Sequence, residues 1–283
     1  MKKRLFTRAA CDPDTLGALL AARLTLAEAR AIALVARGAV QVGGRRASDA
    51  SAAVALGAHL TVFLDEEPAD ALALTIVYRD PWLLVVDKPA GMLSQPSRGE
   101  SSTALDERVR AQFADARMMH RLDRDASGLV LFALSIDARA PLQAALEAGE
   151  IDRRYLAVVS GRLEGEGRIA LRIGRDAKDE RRRIAHPESS AAGQPATSRF
   201  RTLRHGPSST VVELELETGR THQLRVHLAA IGHPILGDRL YGGPPAARLC
   251  LHAERLALTH PQSRRPIIVT SPPPGELGAD DPP

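Results

Sequence analysis

From residue 74 onward the chain carries short β-branched and apolar runs of strand length, at 74–78, 83–86, 129–133, 155–159 and 211–216. Helical stretches, among them 102–113 and 138–148, fall between some of these runs and not others. A parallel sheet needs a long crossover between each pair of neighbouring strands, and this spacing does not supply them. The pattern predicts an α+β fold over residues 74–272: a mixed, mainly antiparallel sheet with flanking helices. At 283 residues and 44% hydrophobic content, the chain has material for that core and for a second, smaller domain.

The smaller domain is expected at residues 1–65, joined by a linker at 66–73, where the acidic run Asp65, Glu66 and Glu67 with Pro68 marks the break. Residues 15–64 read as helix, helix, strand, turn and strand, a small α/β unit. Thr25 and Glu28 have capping-box spacing, Ile32 and Val35 give apolar helical spacing, and Gly38 is placed to end the helix. The pair Gly43 and Gly44 reads as a turn between residues 39–42 and a later strand near 59–64. Residues 1–64 hold nine Lys and Arg against four Asp and Glu, a balance of +5 that exceeds the +4 of the whole chain. Arg30 and Arg37 share one face of the predicted second helix, with Arg45 and Arg46 at the hairpin beside it. Such a stripe can track a phosphate backbone, although a solvated helix face would look the same. The element order and the stretch L-T-L-A-E-A-R-A-I-A-L-V-A-R-G-A-V-Q-V-G-G resemble the small RNA-binding domain named after a small-subunit ribosomal protein. That domain usually has Ser where Ala27 stands and Asn where Gly43 stands.

Composition narrows the class further. All but four of the 38 basic residues are arginine, a bias that suits phosphate and base contacts and that a GC-rich coding sequence would also produce. Cys11 and Cys250 are too few for a disulfide framework or a zinc site, and no apolar run reaches transmembrane length, so a cytoplasmic protein without a membrane partner is expected. The residues beyond 272, rich in Pro, Gly and Asp, read as a disordered tail.

The chemistry concentrates in M-H-R-L-D-R-D-A-S-G-L-V-L over residues 119–131, where two carboxylates flanked by two arginines stand directly before an apolar strand. Polar groups so placed emerge at a strand edge, where a pocket can form. Spacing alone is equally compatible with a salt-bridged surface loop, and it does not choose between Asp123 and Asp125. His222, His227 and His233 invite a metal reading. With Thr221 as N-cap and Gly232 as the end, residues 221–231 read as a helix on which His222 and His227 are five apart and turn to different faces, so no metal site is expected.

These segments resemble the RluA family of pseudouridine synthases, whose motif H-R-L-D-x-x-T-S-G-L is matched at every element except Thr, here Ala126. A second stretch, G-R-T-H-Q-L-R-V-H-L over 219–228 followed by G-H-P-I-L-G-D over 232–238, is similar to the family's other long motif. Shorter agreement includes D-K-P-A-G at 87–91, R-Y-L-A at 154–157 and L-H-A at 251–253. The resemblance spans about residues 74–272.

It implies an isomerase that needs no cofactor, because turning uridine into pseudouridine exchanges one ribose–base bond for another without redox change. It implies Asp123 as the essential carboxylate, acting as nucleophile or base. Arg225 is implied to pair with that Asp, and Tyr155 to stack against the target uracil. Arg121 is implied to fill the space vacated by the extruded base or to bind flanking phosphate. RNA is the expected partner of a monomeric enzyme; large-subunit ribosomal RNA is the expected target and transfer RNA the alternative. Two other classes compete: an inactive RNA-binding or ribosome-assembly factor, and a metal-dependent hydrolase built on Asp123 and Asp125.

Overall fold

The computed structural model describes residues 2–24, 28–36, 38–64, 74–96 and 104–278. Thr25, Ala27, Arg37, the side chain of Arg30, Asp65, the expected linker at 66–73 and the last five residues lie outside this described part. The chain divides into two compact units, residues 1–73 with 96–104 and residues 74–95 with 105–283.

The first unit contains β1 (Lys2–Thr7), α1 (Leu16–Leu24), α2 (Glu28–Ala36), β2 (Val40–Val42), β3 (Arg45–Arg46) and β4 (His59–Leu64). Its sheet has the order β1-β4-β2-β3, with every pair antiparallel. Leu16, Leu19 and Leu20 on α1, and Ala31, Leu34 and Val35 on α2, repeat the i, i+3, i+4 spacing that lays one helix stripe on a core, and all six are buried. Ile32 departs from expectation: it is 47% exposed, because Ala31 and not Ile32 lies on the inward stripe. Gly38 ends α2 at a φ of 74°, its N–H and that of Ala39 returning to Val35 and Leu34. Gly43 and Gly44, both at positive φ, form a two-residue hairpin that leads into β3 and not directly into β4 as expected. The element reading, which started at residue 15, missed β1, which pairs with β4 over six residues.

The second unit is built on an eleven-stranded sheet. Its elements are β5 (Thr75–Arg79), β6 (Leu83–Lys88), α3 (Leu105–Gln112), β7 (Arg117–Met118), β8 (Ser127–Ala133), α4 (Ile136–Glu147), β9 (Asp152–Ser160), β10 (Glu166–Arg175), β11 (Arg183–His186), β12 (Gln194–His205), β13 (Ser209–Leu216), α5 (Gln223–Ala230), β14 (Leu251–Thr259), β15 (Pro266–Thr270) and α6 (Gly275–Gly278). The order is β11-β10-β12-β13-β9-β14-β8-β6-β5, with β15 on β14 and β7 on β8. Only β14 and β8 run parallel, so the expected mixed, mainly antiparallel sheet is what forms.

Side chains alternate across this sheet with the strand period of two. Val130 and Phe132 of β8 join the core that holds α3 and α5, while Leu129, Leu131 and Ala133 join the one that holds α4. Layers on both faces explain why β8 is apolar throughout and reads so clearly in sequence. Gly128, at a φ of 111°, faces the backbone of Ala253 so closely that a Cβ would collide with it, and this approach lets β8 and β14 pair at Ser127 and His252. Within the stretch after 272 that was expected to be disordered, Gly275–Gly278 form the short turn α6, with Leu277 buried in the main core. No helix among the described residues is long and apolar enough to cross a membrane.

Candidate active site

The loop between β7 and β8 is tied down from one side by the segment after β6. Ser94 Oγ accepts the N–H of Leu122 at 3.0 Å and donates to the Leu122 carbonyl at 2.6 Å. Lys88, fully buried, donates to the carbonyls of Pro89, Met92 and Arg124 at 2.9, 2.8 and 3.0 Å, and Gly91 N–H donates to Arg124 O. Burial pushes the Lys88 ammonium down to about 7, against the pull of Asp123 and Asp125. Leu122 and Ala126 anchor the loop in the core. Ala126, the one departure from the motif, is buried where a methyl packs against apolar neighbours.

This anchoring separates the two carboxylates that spacing could not. Asp123 is partly buried and lines a cavity of about 380 Å³ together with Tyr155, Arg153, His120, Arg121 and Arg220. Asp125 is exposed and outside that lining.

Arg225, on α5, donates from Nη1 to Asp123 Oδ2 at 3.2 Å, and its Nε and Nη2 grip Asp238 at 2.7 and 2.8 Å. Asp238 Oδ1 also accepts the backbone N–H groups of Leu240 and Tyr241. Burial opposes the Arg225 charge, but the hydrogen bonds to Asp238 and the charge of Asp123 outweigh it and hold the guanidinium pKa above its ordinary value. The Arg225 guanidinium also lies 5.1 Å from the centre of the Tyr241 ring.

His222 completes this side. Its backbone is left-handed, at φ 57° and ψ 19°, and it is the residue from which α5 starts; Thr221 is therefore not the N-cap and the helix begins at Gln223. The Gln223 side chain instead accepts from Arg220 N–H and Thr218 Oγ1, while Thr221 Oγ1 accepts from Arg121. Tyr241 Oη accepts the Arg183 N–H at 2.9 Å, which leaves its own hydrogen for His222 Nδ1 at 2.8 Å. That pattern assigns the imidazole proton to Nε2, which faces Asp123 Oδ1 at 3.9 Å. Burial lowers the His222 pKa, partly offset by Asp123, so the ring is neutral at pH 7.

Tyr155, on β9, is both buried and part of the cavity wall, and burial raises its hydroxyl pKa against the opposing charge of Arg153. Arg121 is exposed at the same cavity. The structure thus brings Asp123, Tyr155, Arg225 and Arg121 together, whereas Arg45 and Arg46 are exposed on the hairpin of the first unit. His227 hydrogen-bonds Ser198 and His233 the Ser160 carbonyl, each at a separate place. The sequence reading missed Ser94, Asp238, Tyr241 and Arg153. Only Asp238 stood inside a quoted motif, and nothing local marks the others.

Three comparisons with known proteins bear on this site. A family profile described as RNA pseudouridylate synthase matches residues 82–230. The ribosomal large subunit pseudouridine synthase D of Nitrosomonas europaea is 38% identical over 228 residues, covering 75% of this chain and 65% of that protein's own length. The uncharacterized RNA pseudouridine synthase YhcT of Bacillus subtilis is 36% identical over 234 residues, covering 76% of each. Among solved structures, human RNA pseudouridylate synthase domain containing 1 superposes with a TM-score of 0.62 at 30% identity, over 75% of this chain and 89% of that one.

Proposed function

Because the chain belongs to the RNA pseudouridylate synthase family, we propose that it converts uridine in large-subunit ribosomal RNA to pseudouridine with Asp123 as the essential carboxylate. The observation that carries this reading is the placement of Asp123 in a cavity, one oxygen held by Arg225 and the ring of Tyr155 in the same wall. In the reaction the bond from ribose C1′ to uracil N1 breaks, the base turns, and C1′ bonds to C5. The proton on C5 leaves and N1 gains one, so the product is an isomer of the substrate. Asp123 acts as nucleophile at C1′ or as base toward the ribose. Arg225, immobilised by Asp238, fixes which carboxylate oxygen faces the substrate, and Tyr155 offers its face to the uracil.

A uridine within folded RNA must leave its stack to reach this cavity. Arg121, exposed at the cavity and hydrogen-bonded to Thr221, is suited to contact the RNA around the extruded base. The first unit, with Arg45 and Arg46 exposed on its hairpin, contributes RNA affinity and not chemistry. Replacing both arginines by alanine should weaken binding and flatten its salt dependence; unchanged salt dependence would remove this role.

The substrate is tested by mapping pseudouridines in ribosomal and transfer RNA from cells with and without the protein. Loss at a large-subunit position is expected. Loss confined to transfer RNA would overturn the ribosomal assignment and leave the reaction type standing.

A further inference from the structure

Arg153 is only 9% exposed, its Nε is fully buried without a hydrogen-bond partner, and among the described residues no carboxylate pairs with it. Its neighbour on β9 behaves differently. Arg154 lies on the other face of the strand and meets Asp152 and Glu213 at 3.1 and 3.5 Å. Arg153 is two residues before Tyr155, so the two share a face, and both line the cavity of Asp123. His120 lines the same cavity. Its Nε2 accepts the Leu131 N–H at 3.2 Å, which leaves the ring hydrogen on Nδ1, also buried and without a partner. Burial, reinforced by the Arg153 charge, pushes the His120 pKa down to about 3, so this ring adds no charge of its own.

A buried cation without a counter-ion and a buried N–H without an acceptor are both costly, and proteins rarely hold them unless a ligand completes them. A uracil carbonyl would satisfy a donor but not balance the charge. RNA carries one anion per nucleotide, its phosphodiester.

We propose that Arg153 is the anchor of a phosphodiester subsite in the Asp123 cavity, receiving a phosphate oxygen of the target nucleotide, with the N–H of His120 as a second donor. This rests on the RNA-modifying reading of the cavity. Arg153 thereby positions the ribose against Asp123 without taking part in bond exchange.

The test uses the purified full chain and compares binding of uridine, uridine 5′-monophosphate and uridine 3′-monophosphate by calorimetric or NMR titration. One monophosphate should bind roughly 10- to 100-fold more tightly than uridine, as expected for a charge-assisted hydrogen-bonded contact. Arg153→Met should erase that preference while keeping affinity for uridine, and Arg153→Lys, which keeps the charge, should retain much of it. The free Arg153→Met protein should melt at or above the wild-type temperature, since it loses an unpaired buried charge. A phosphate preference that survives Arg153→Met, or a large fall in its melting temperature, would overturn the subsite. Failure of the wild-type protein to form pseudouridine in RNA would count against the proposed function, and the monophosphate comparison would still decide the subsite.

Discussion

Arg225 and Arg153 stand on two parts of one site and are both more than nine-tenths buried, at 7% and 9% exposure. Arg225 is met by two carboxylates, one of them fixed by two backbone N–H groups, and an aromatic ring lies beneath it. Arg153 meets none of these. The difference teaches where preorganisation is needed: the carboxylate that must be aimed before RNA arrives is held by the protein's own charges, while the charge proposed to receive RNA is left open. The first arrangement costs nothing to reorganise at the moment of reaction.

The sharpest way to break this comparison is at Asp123. Asp123→Asn keeps size and hydrogen bonding but cannot act as nucleophile or base, and it should lower pseudouridine formation by at least about 10³-fold with RNA affinity little changed. Asp125→Asn, at an exposed position, should stay within about threefold of wild type. Rates measured by nucleoside analysis of a fixed RNA substrate decide the matter; near-normal turnover by Asp123→Asn would remove the central assignment.

Asp238 comes next. Asp238→Ala strands Arg225 as a buried cation facing Asp123 alone, which should cost about 3–5 kcal/mol of stability in denaturant unfolding. A loss well below 1 kcal/mol would mean that Asp238 does not hold Arg225 in the folded protein. Set beside Arg153→Met, this pair of variants asks directly whether one buried arginine is compensated and the other is not.

Tyr155 shares a cavity wall with Arg153 and another with Arg225. If its ring face is what the site uses, Tyr155→Phe should remain within about threefold of wild type, and Tyr155→Ala should lose roughly 10- to 100-fold, as expected for one base–aromatic stack. Equal, severe losses in both kinetic assays would assign the role to the hydroxyl.

The last test is in pH. Burial lowers His120 to about 3, with Arg153 reinforcing it, and His227 to about 4, whereas both titrate near 6.5 when unfolded. From about pH 6.5 down to 4 the unfolded chain therefore binds more protons than the folded one, and stability falls with pH. The slope is up to about 1.4 kcal/mol per pH unit for each histidine. Arg153→Met should raise the His120 pKa, and because that pKa starts from about 3 the effect falls near pH 4 and below, where the fall in stability should ease at a higher pH than in the wild type. Unfolding curves that coincide there in both proteins would show that the Arg153 charge does not act on His120.

The α+β class and the positions of β6, β8, β9 and β13 were legible because these strands are buried on one or both faces and read as apolar runs, while β5, largely exposed, was legible from its β-branched run alone. β10 and β12 were not legible: both are half exposed and rich in charge, with Arg168, Arg199 and Arg201 paired to glutamates, so neither forms an apolar run, and a bulge between Thr202 and Arg204 breaks the period of β12. β1 is recognisable only through its pairing with β4, more than fifty residues away. At the site, resemblance named Asp123, Tyr155, Arg225 and Arg121, all of which the fold brings to one cavity. What sequence by itself determined was the set of chemical groups, the apolar strands of the core and the loop that carries two carboxylates. Only tertiary structure decided that Asp123 turns inward while Asp125 faces out, that His222 and Tyr241 flank it, and that Arg153 has no counter-ion among the described residues. Each of those outcomes depends on distances between residues up to about a hundred positions apart, which sheet register sets and local composition cannot encode.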